Sequence, residues 1–74
     1  MNTIQVFETI KKKCKSQKVT IKELLEVCNI NRNFMYDLKN GRIPSADKLE
    51  LIADYLNCSI DYLLGRTDNP EINK

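Results

Sequence analysis

Residues 19–45 read VTIKELLEVCNINRNFMYDLKNGRIPS, and the three central residues, Asn29, Ile30 and Asn31, decide how the flanking segments are arranged. Thr20 is a helix N-cap residue, and Glu23 three positions on completes a capping box. Leu24, Leu25 and Cys28 then form the apolar side of a helix of about eight residues. Asn29 tolerates the left-handed conformation that ends a helix and turns the chain. Ile30 is apolar in the middle of that turn, so it is expected to be buried. Asn31 is a second N-cap residue and is expected to open a helix reaching Lys39. Asn40-Gly41 closes that helix, because Gly takes positive φ without a Cβ clash. A connection this short, with one left-handed and one buried residue, crosses two helices at a steep angle.

The rest of the chain fits around this pair. A first helix is expected from Thr3 to Lys15, with Ile4, Phe7, Ile10 and Cys14 on its inner side, before SQKV breaks the pattern. After Pro44, Ser45 caps a fourth helix in which Leu49, Ile52, Ala53 and Leu56 recur at helical spacing. Ser59 caps a short fifth helix, IDYLL, ending at Gly65. No segment alternates like a strand. The expectation is an all-α, compact five-helix domain over residues 1–66, followed by a polar tail or linker start over 67–74.

Seventy-four residues make one small domain, with little room for an enclosed active site beside a core. There is no His, which excludes His-assisted nucleophiles and His-bearing zinc sites. No nucleophile, base or ligand cluster can be assembled, so neither catalysis, a cofactor nor a metal is expected. Cys14, Cys28 and Cys58 are odd in number and contain no CxxC pair, so they read as small buried hydrophobes in a reducing compartment. No apolar run approaches the ~20 residues of a membrane span and no signal peptide is visible, which points to a cytoplasmic protein.

The net charge of +2 is unevenly spread: residues 1–42 hold nine Lys and Arg against four Asp and Glu, and residues 43–74 hold three against six. A basic front half suits a polyanionic partner. The third helix adds geometry. At 100° per residue, Asn33, Tyr36, Asp37 and Asn40 fall together opposite Met35 and Leu38, with Arg32 at the N-terminal edge. Arg can take O6 and N7 of guanine, and Asn can take N6 and N7 of adenine, in a major groove about 12 Å wide.

VTIKELLEVCNINRNFMYDLKNGRIPS resembles the helix-turn-helix of the Cro/cI-type (lambda-repressor-like, XRE-type) DNA-binding domains. ADKLELIADYLNCSIDYLLGRTDNP resembles the two helices that follow it in repressors of phages and mobile elements of Gram-positive bacteria. The resemblance covers roughly residues 4–70. It implies a sequence-specific transcriptional regulator of double-stranded DNA, repressor-like, with helices 2 and 3 as the motif and the third helix in the major groove. Base-reading residues are then Arg32, Asn33, Tyr36 and Asp37, where Asp37 either accepts from a cytosine amine or holds Arg32 or Lys39. Phosphate contacts fall to Thr20, Ile21 and Lys22 at the start of helix 2, to Asn31, and to Lys39, Asn40 and Arg42 beyond helix 3. The family often dimerises through its last helices, which makes Tyr55 and Tyr62 either interface residues or core-edge tyrosines, and a homodimer on a pseudo-palindromic operator the expected assembly.

Several positions depart from the family pattern. Ile21 stands where a bracing Gln is common, and Cys14 and Lys39 replace an Arg–Glu pair. Leu25 and Cys28 exchange volume with a usual Ala and Leu, which a core tolerates. Phe34, where Ser or Thr is frequent, can lean on the core, touch a thymine methyl, or serve another protein. Ile21 and Phe34 together favour a second possibility, a protein-interaction module such as an antitoxin or anti-repressor partner.

Overall fold

A computed structural model describes residues 2–67, in five helices and no strand: α1 (Thr3–Ser16), α2 (Ile21–Val27), α3 (Phe34–Lys39), α4 (Ala46–Leu56) and α5 (Ile60–Leu63). The all-α expectation holds. The expected tail, apart from Thr67, lies outside the described residues.

Four helices start on a side-chain cap. Asn2 accepts from the Gln5 amide at 3.0 Å, Thr20 from Glu23 at 3.0 Å, Ser45 from Lys48 at 3.4 Å and Ser59 from Tyr62 at 3.1 Å. Each satisfies one backbone donor that has no intrahelical partner. The third helix differs from expectation. The Asn31 side chain accepts from the Asn33 amide at 2.8 Å, and its carbonyl accepts from the Phe34 amide at 2.9 Å. Asn31 thus folds Arg32 and Asn33 into a tight turn, and the α-helix begins at Phe34 rather than directly after Asn31.

All five helices stop in the same way. A residue at positive φ follows each one: Lys18 (59°), Asn29 (54°), Gly41 (90°), Asn57 (55°) and Gly65 (77°). The next amide then reaches back five residues. Val19 donates to the Cys14 carbonyl, Ile30 to Leu25, Arg42 to Asp37, Cys58 to Ala53 and Arg66 to Asp61, each at 2.9 Å. This is the Schellman arrangement, which satisfies carbonyls the helix leaves open. In two cases an apolar residue and then a cap follow at once, Val19-Thr20 and Cys58-Ser59, and in a third Ile30 is followed by Asn31, which folds the tight turn before α3. The apolar residue faces the core, with Ile30 and Cys58 buried and Val19 half-buried.

The core is continuous. It joins Val6, Ile10 and Cys14 of α1 to Leu24 and Leu25 of α2, Phe34, Met35 and Leu38 of α3, Leu49, Ile52, Ala53 and Leu56 of α4, and Leu63 of α5. Leu25, where the family usually has a small residue, and Cys28, where it usually has a larger one, are both buried in this cluster. In α1 the inward side is rotated from the expected one. Thr3 and Val6 are buried, Phe7 is half-buried and Ile4 is 47% exposed. Ile10 and Cys14 belong to either stripe. The approach of α3 and α5, which periodicity alone does not encode, selects between them. All three cysteines are free and buried, and burial is the main effect pushing their thiols up from the ordinary value. That leaves them protonated and inert.

Candidate nucleic-acid interface

The exposed surface of the third helical segment follows from what its other side buries. Phe34, Met35 and Leu38 point into the core. Of the three roles open to Phe34, the first is the one it takes. The turn puts Arg32 and Asn33 in solvent ahead of the helix, Tyr36 is 69% exposed one turn on, and Asn40 is exposed one turn further. The Asn40 amide donates to the Tyr36 carbonyl at 2.8 Å and so closes the helix end with its own side chain. Arg32, Asn33, Tyr36 and Asn40 therefore form one outward strip of donors and acceptors on a rigid backing.

Asp37 stands at the margin of this strip, half-buried, with neither Arg32 nor Lys39 as its partner. Its carboxylate lies 3.9 Å from the Arg42 guanidinium, and its backbone carbonyl accepts from the Arg42 amide. The helix-ending hook thus places Arg42 beside Asp37. The same hook recurs in α5, where Arg66 lies 3.8 Å from Asp61. Both pairs are solvent-exposed, so each contributes little to stability and yields readily to a competing anion.

Cationic groups flank the strip on both sides. Lys22 and Arg32 border one groove with Ile21, Leu25, Glu26 and Ile30. Lys22 is exposed, whereas Ile21 is half-buried, packed against the core and lining the groove with the rest of its side chain. Thr20 is exposed, but its hydroxyl is occupied by the Glu23 amide. The Asn31 side chain is likewise committed to its turn. Lys39 and Arg42 are exposed past the other end of α3.

Sequence reasoning missed Lys48. It meets Arg42 and Ser45 around a hollow of about 200 Å³, which Phe34 and Asp37 also line, and its ammonium sits 6.0 Å from the centre of the Phe34 ring. Its position was a usable signal. Lys48 stands in the first turn of α4, where its cation opposes the macrodipole and the Asp47 carboxylate beside it complements that dipole.

Tyr55 and Tyr62 are half-buried against the core. The Tyr55 hydroxyl donates to Glu23 at 3.4 Å, linking α4 to α2. Desolvation, reinforced by the adjacent Glu23 carboxylate, pushes its phenol up. The Lys13 ammonium lies 5.6 Å from the centre of the Tyr62 ring.

Two short helices joined through a left-handed residue and a buried apolar one, the second showing a polar strip between cationic shoulders, define a helix-turn-helix nucleic-acid-binding unit. The chain belongs to the Cro/C1-type HTH DNA-binding domains, whose family profile matches residues 7–69. It is 34% identical over 59 residues to the uncharacterized HTH-type transcriptional regulator YobD of Bacillus subtilis (strain 168), a match covering 77% of this chain and 52% of that protein. The chain thus spans about half the length of this curated relative. No solved structure gives a significant match. Among the described residues no helix is long and apolar enough to cross a membrane.

Proposed function

We propose that this protein is a sequence-specific regulator of transcription, acting as a repressor, that reads double-stranded DNA with the segment from Arg32 to Asn40 in the major groove. The observation that carries this is the division of that segment: Phe34, Met35 and Leu38 are buried while Arg32, Asn33, Tyr36 and Asn40 are exposed. Arg32 takes guanine O6 and N7, and Asn33 takes adenine N6 and N7. Tyr36 offers its hydroxyl and ring edge one turn on. Asp37 accepts from a cytosine amine when Arg42 leaves it for a phosphate.

Lys22, Lys39, Asn40 and Arg42 hold the sugar–phosphate rails, together with the amides around Thr20, Ile21 and Asn31, and these contacts set register rather than sequence. Two copies, joined through the surface around Tyr55 and Tyr62, bind half-sites of a pseudo-palindrome about 34 Å apart. Repression follows when the bound dimer occupies a promoter. The protein-interaction alternative loses Phe34, which is buried, and keeps only Ile21, half-buried at the edge of the groove beside Lys22.

The test is selection of bound duplexes from random DNA, followed by gel shifts of the selected site at several salt concentrations. A two-fold symmetric site is expected, with log affinity falling against log salt at about −0.9 per phosphate neutralised. Absence of any duplex binding at low salt overturns the proposal.

A further inference from the structure

The lysines of α1 play no part in the site described above. Thr3, Val6, Ile10 and Cys14 turn inward, which sends Lys11, Lys12 and Lys15 outward, where all three are exposed. They line one shallow depression with Glu8 and Thr9. Lys11 also lies over the Phe7 ring, 5.2 Å from its centre, and none of the three is in an ion pair among the described residues.

The depression shares no residue with the grooves that flank the DNA-reading strip. The packing of α1 is most extensive with α3, and the two helices bury Ile10 and Cys14 on one side and Phe34, Met35 and Leu38 on the other in a shared core. The outer surface of α1 is therefore separate from the strip on the third helical segment, on a molecule measuring 30 × 25 × 21 Å. At 0.1 M salt charges are screened over about 10 Å. Lys11, Lys12 and Lys15, exposed and outside the reading strip, are therefore available to an anion of their own.

We propose that the outer face of α1, through Lys11, Lys12 and Lys15, is a second, sequence-independent site for the backbone of duplex DNA, so that one molecule bridges two duplex segments. This rests on the DNA-binding reading above. Charge selects the occupant. A duplex carries one negative charge per ≈ 1.7 Å of axis, whereas the acidic α4 surface of a second copy offers only Asp47, Glu50 and Asp54, with Lys48 among them. Glu8 at the edge of the face limits the contact to the three lysines. Full engagement then gives a salt slope of about −2.7, three times the single-phosphate value.

The experiment immobilises a duplex carrying the selected site, saturates it with protein, and measures capture of a fluorescent duplex lacking the site at 50–200 mM salt. The wild type is expected to recruit the second duplex. K11E/K12E/K15E is expected to recruit at least tenfold less, while holding the first duplex with unchanged affinity and melting as a folded protein. Three results overturn the proposal: a wild type that stays on the first duplex but recruits nothing, a triple variant that recruits normally, and a triple variant that loses first-duplex affinity in parallel. Recruitment that tracks a protein oligomer formed without DNA assigns the face to a second copy and overturns it too. Failure of the wild type to stay on any duplex overturns the DNA-binding reading, and this proposal with it.

Discussion

The Gln17 side-chain amide donates to the Leu56 carbonyl at 2.6 Å, joining residues 39 apart and clamping the end of α1 to the end of α4. The carbonyl belongs to the last turn of α4, where no intrahelical donor remains for it. Gln17→Ala leaves this partly buried acceptor unpaired. A loss of about 0.5–1.5 kcal/mol is expected, read as a lower urea midpoint at unchanged m-value. An unchanged midpoint assigns the acceptor to water.

Lys18 occupies the left-handed region at φ 59° without the freedom of Gly or the local hydrogen bonding of Asn. The equivalent hooks use Asn29 and Asn57. Lys18→Asn is expected to raise stability by about 0.5–1 kcal/mol, seen as a melting temperature higher by several degrees. A decrease points to a role for the Lys18 side chain.

Arg32→Ala is expected to cost about 1–3 kcal/mol of binding to the selected site and to relax base choice at a single position, with folding stability unchanged. Arg42→Ala is expected to weaken all duplexes alike and to lower the salt slope by about 0.9. If the two variants exchange these signatures, the division between readers and phosphate holders is wrong.

Asp37→Asn tests the pair at the margin of the strip. Stability is expected to change by no more than about 0.5 kcal/mol, because the pair is exposed. Preference for cytosine at one position is expected to relax in a repeat of the selection. A uniform gain in affinity, with base choice intact, makes Asp37 only the partner of Arg42.

Alkaline pH is expected to destabilise the domain. The folded thiols sit above the ordinary value of 9.0, chiefly through burial. Above that value the unfolded chain has released protons the folded chain still holds, so stability falls as pH rises. Below it the contribution is fully present. Comparing urea midpoints at pH 7.5 and 10 for wild type and Cys28→Ala, the variant should show the smaller drop.

Much of this was legible in local chemistry. Thr20, Ser45 and Ser59 cap helices where their residue types and spacing place them, and Asn29 takes the left-handed turn. Leu49, Ile52, Ala53 and Leu56 face inward as their spacing requires. The errors arise where two local patterns compete. Ile4-Phe7 and Thr3-Val6 are alternative inner edges of α1, and the choice depends on neighbours distant in sequence. Asn31 satisfies a tight turn as well as a helix start, and the turn prevails. The Gln17–Leu56 bond and the Asp37–Arg42 pair were invisible, because each depends on how far the preceding helix runs. The same holds for Lys18, whose residue type argues against the conformation it adopts.

The five identical helix endings bear on how quickly the domain is built. Each stop signal closes within six residues, so segment lengths are settled by nearest neighbours along the chain before distant parts meet. What remains is the docking of pre-measured rods, and all-helical domains assembled in this way fold within about microseconds to milliseconds.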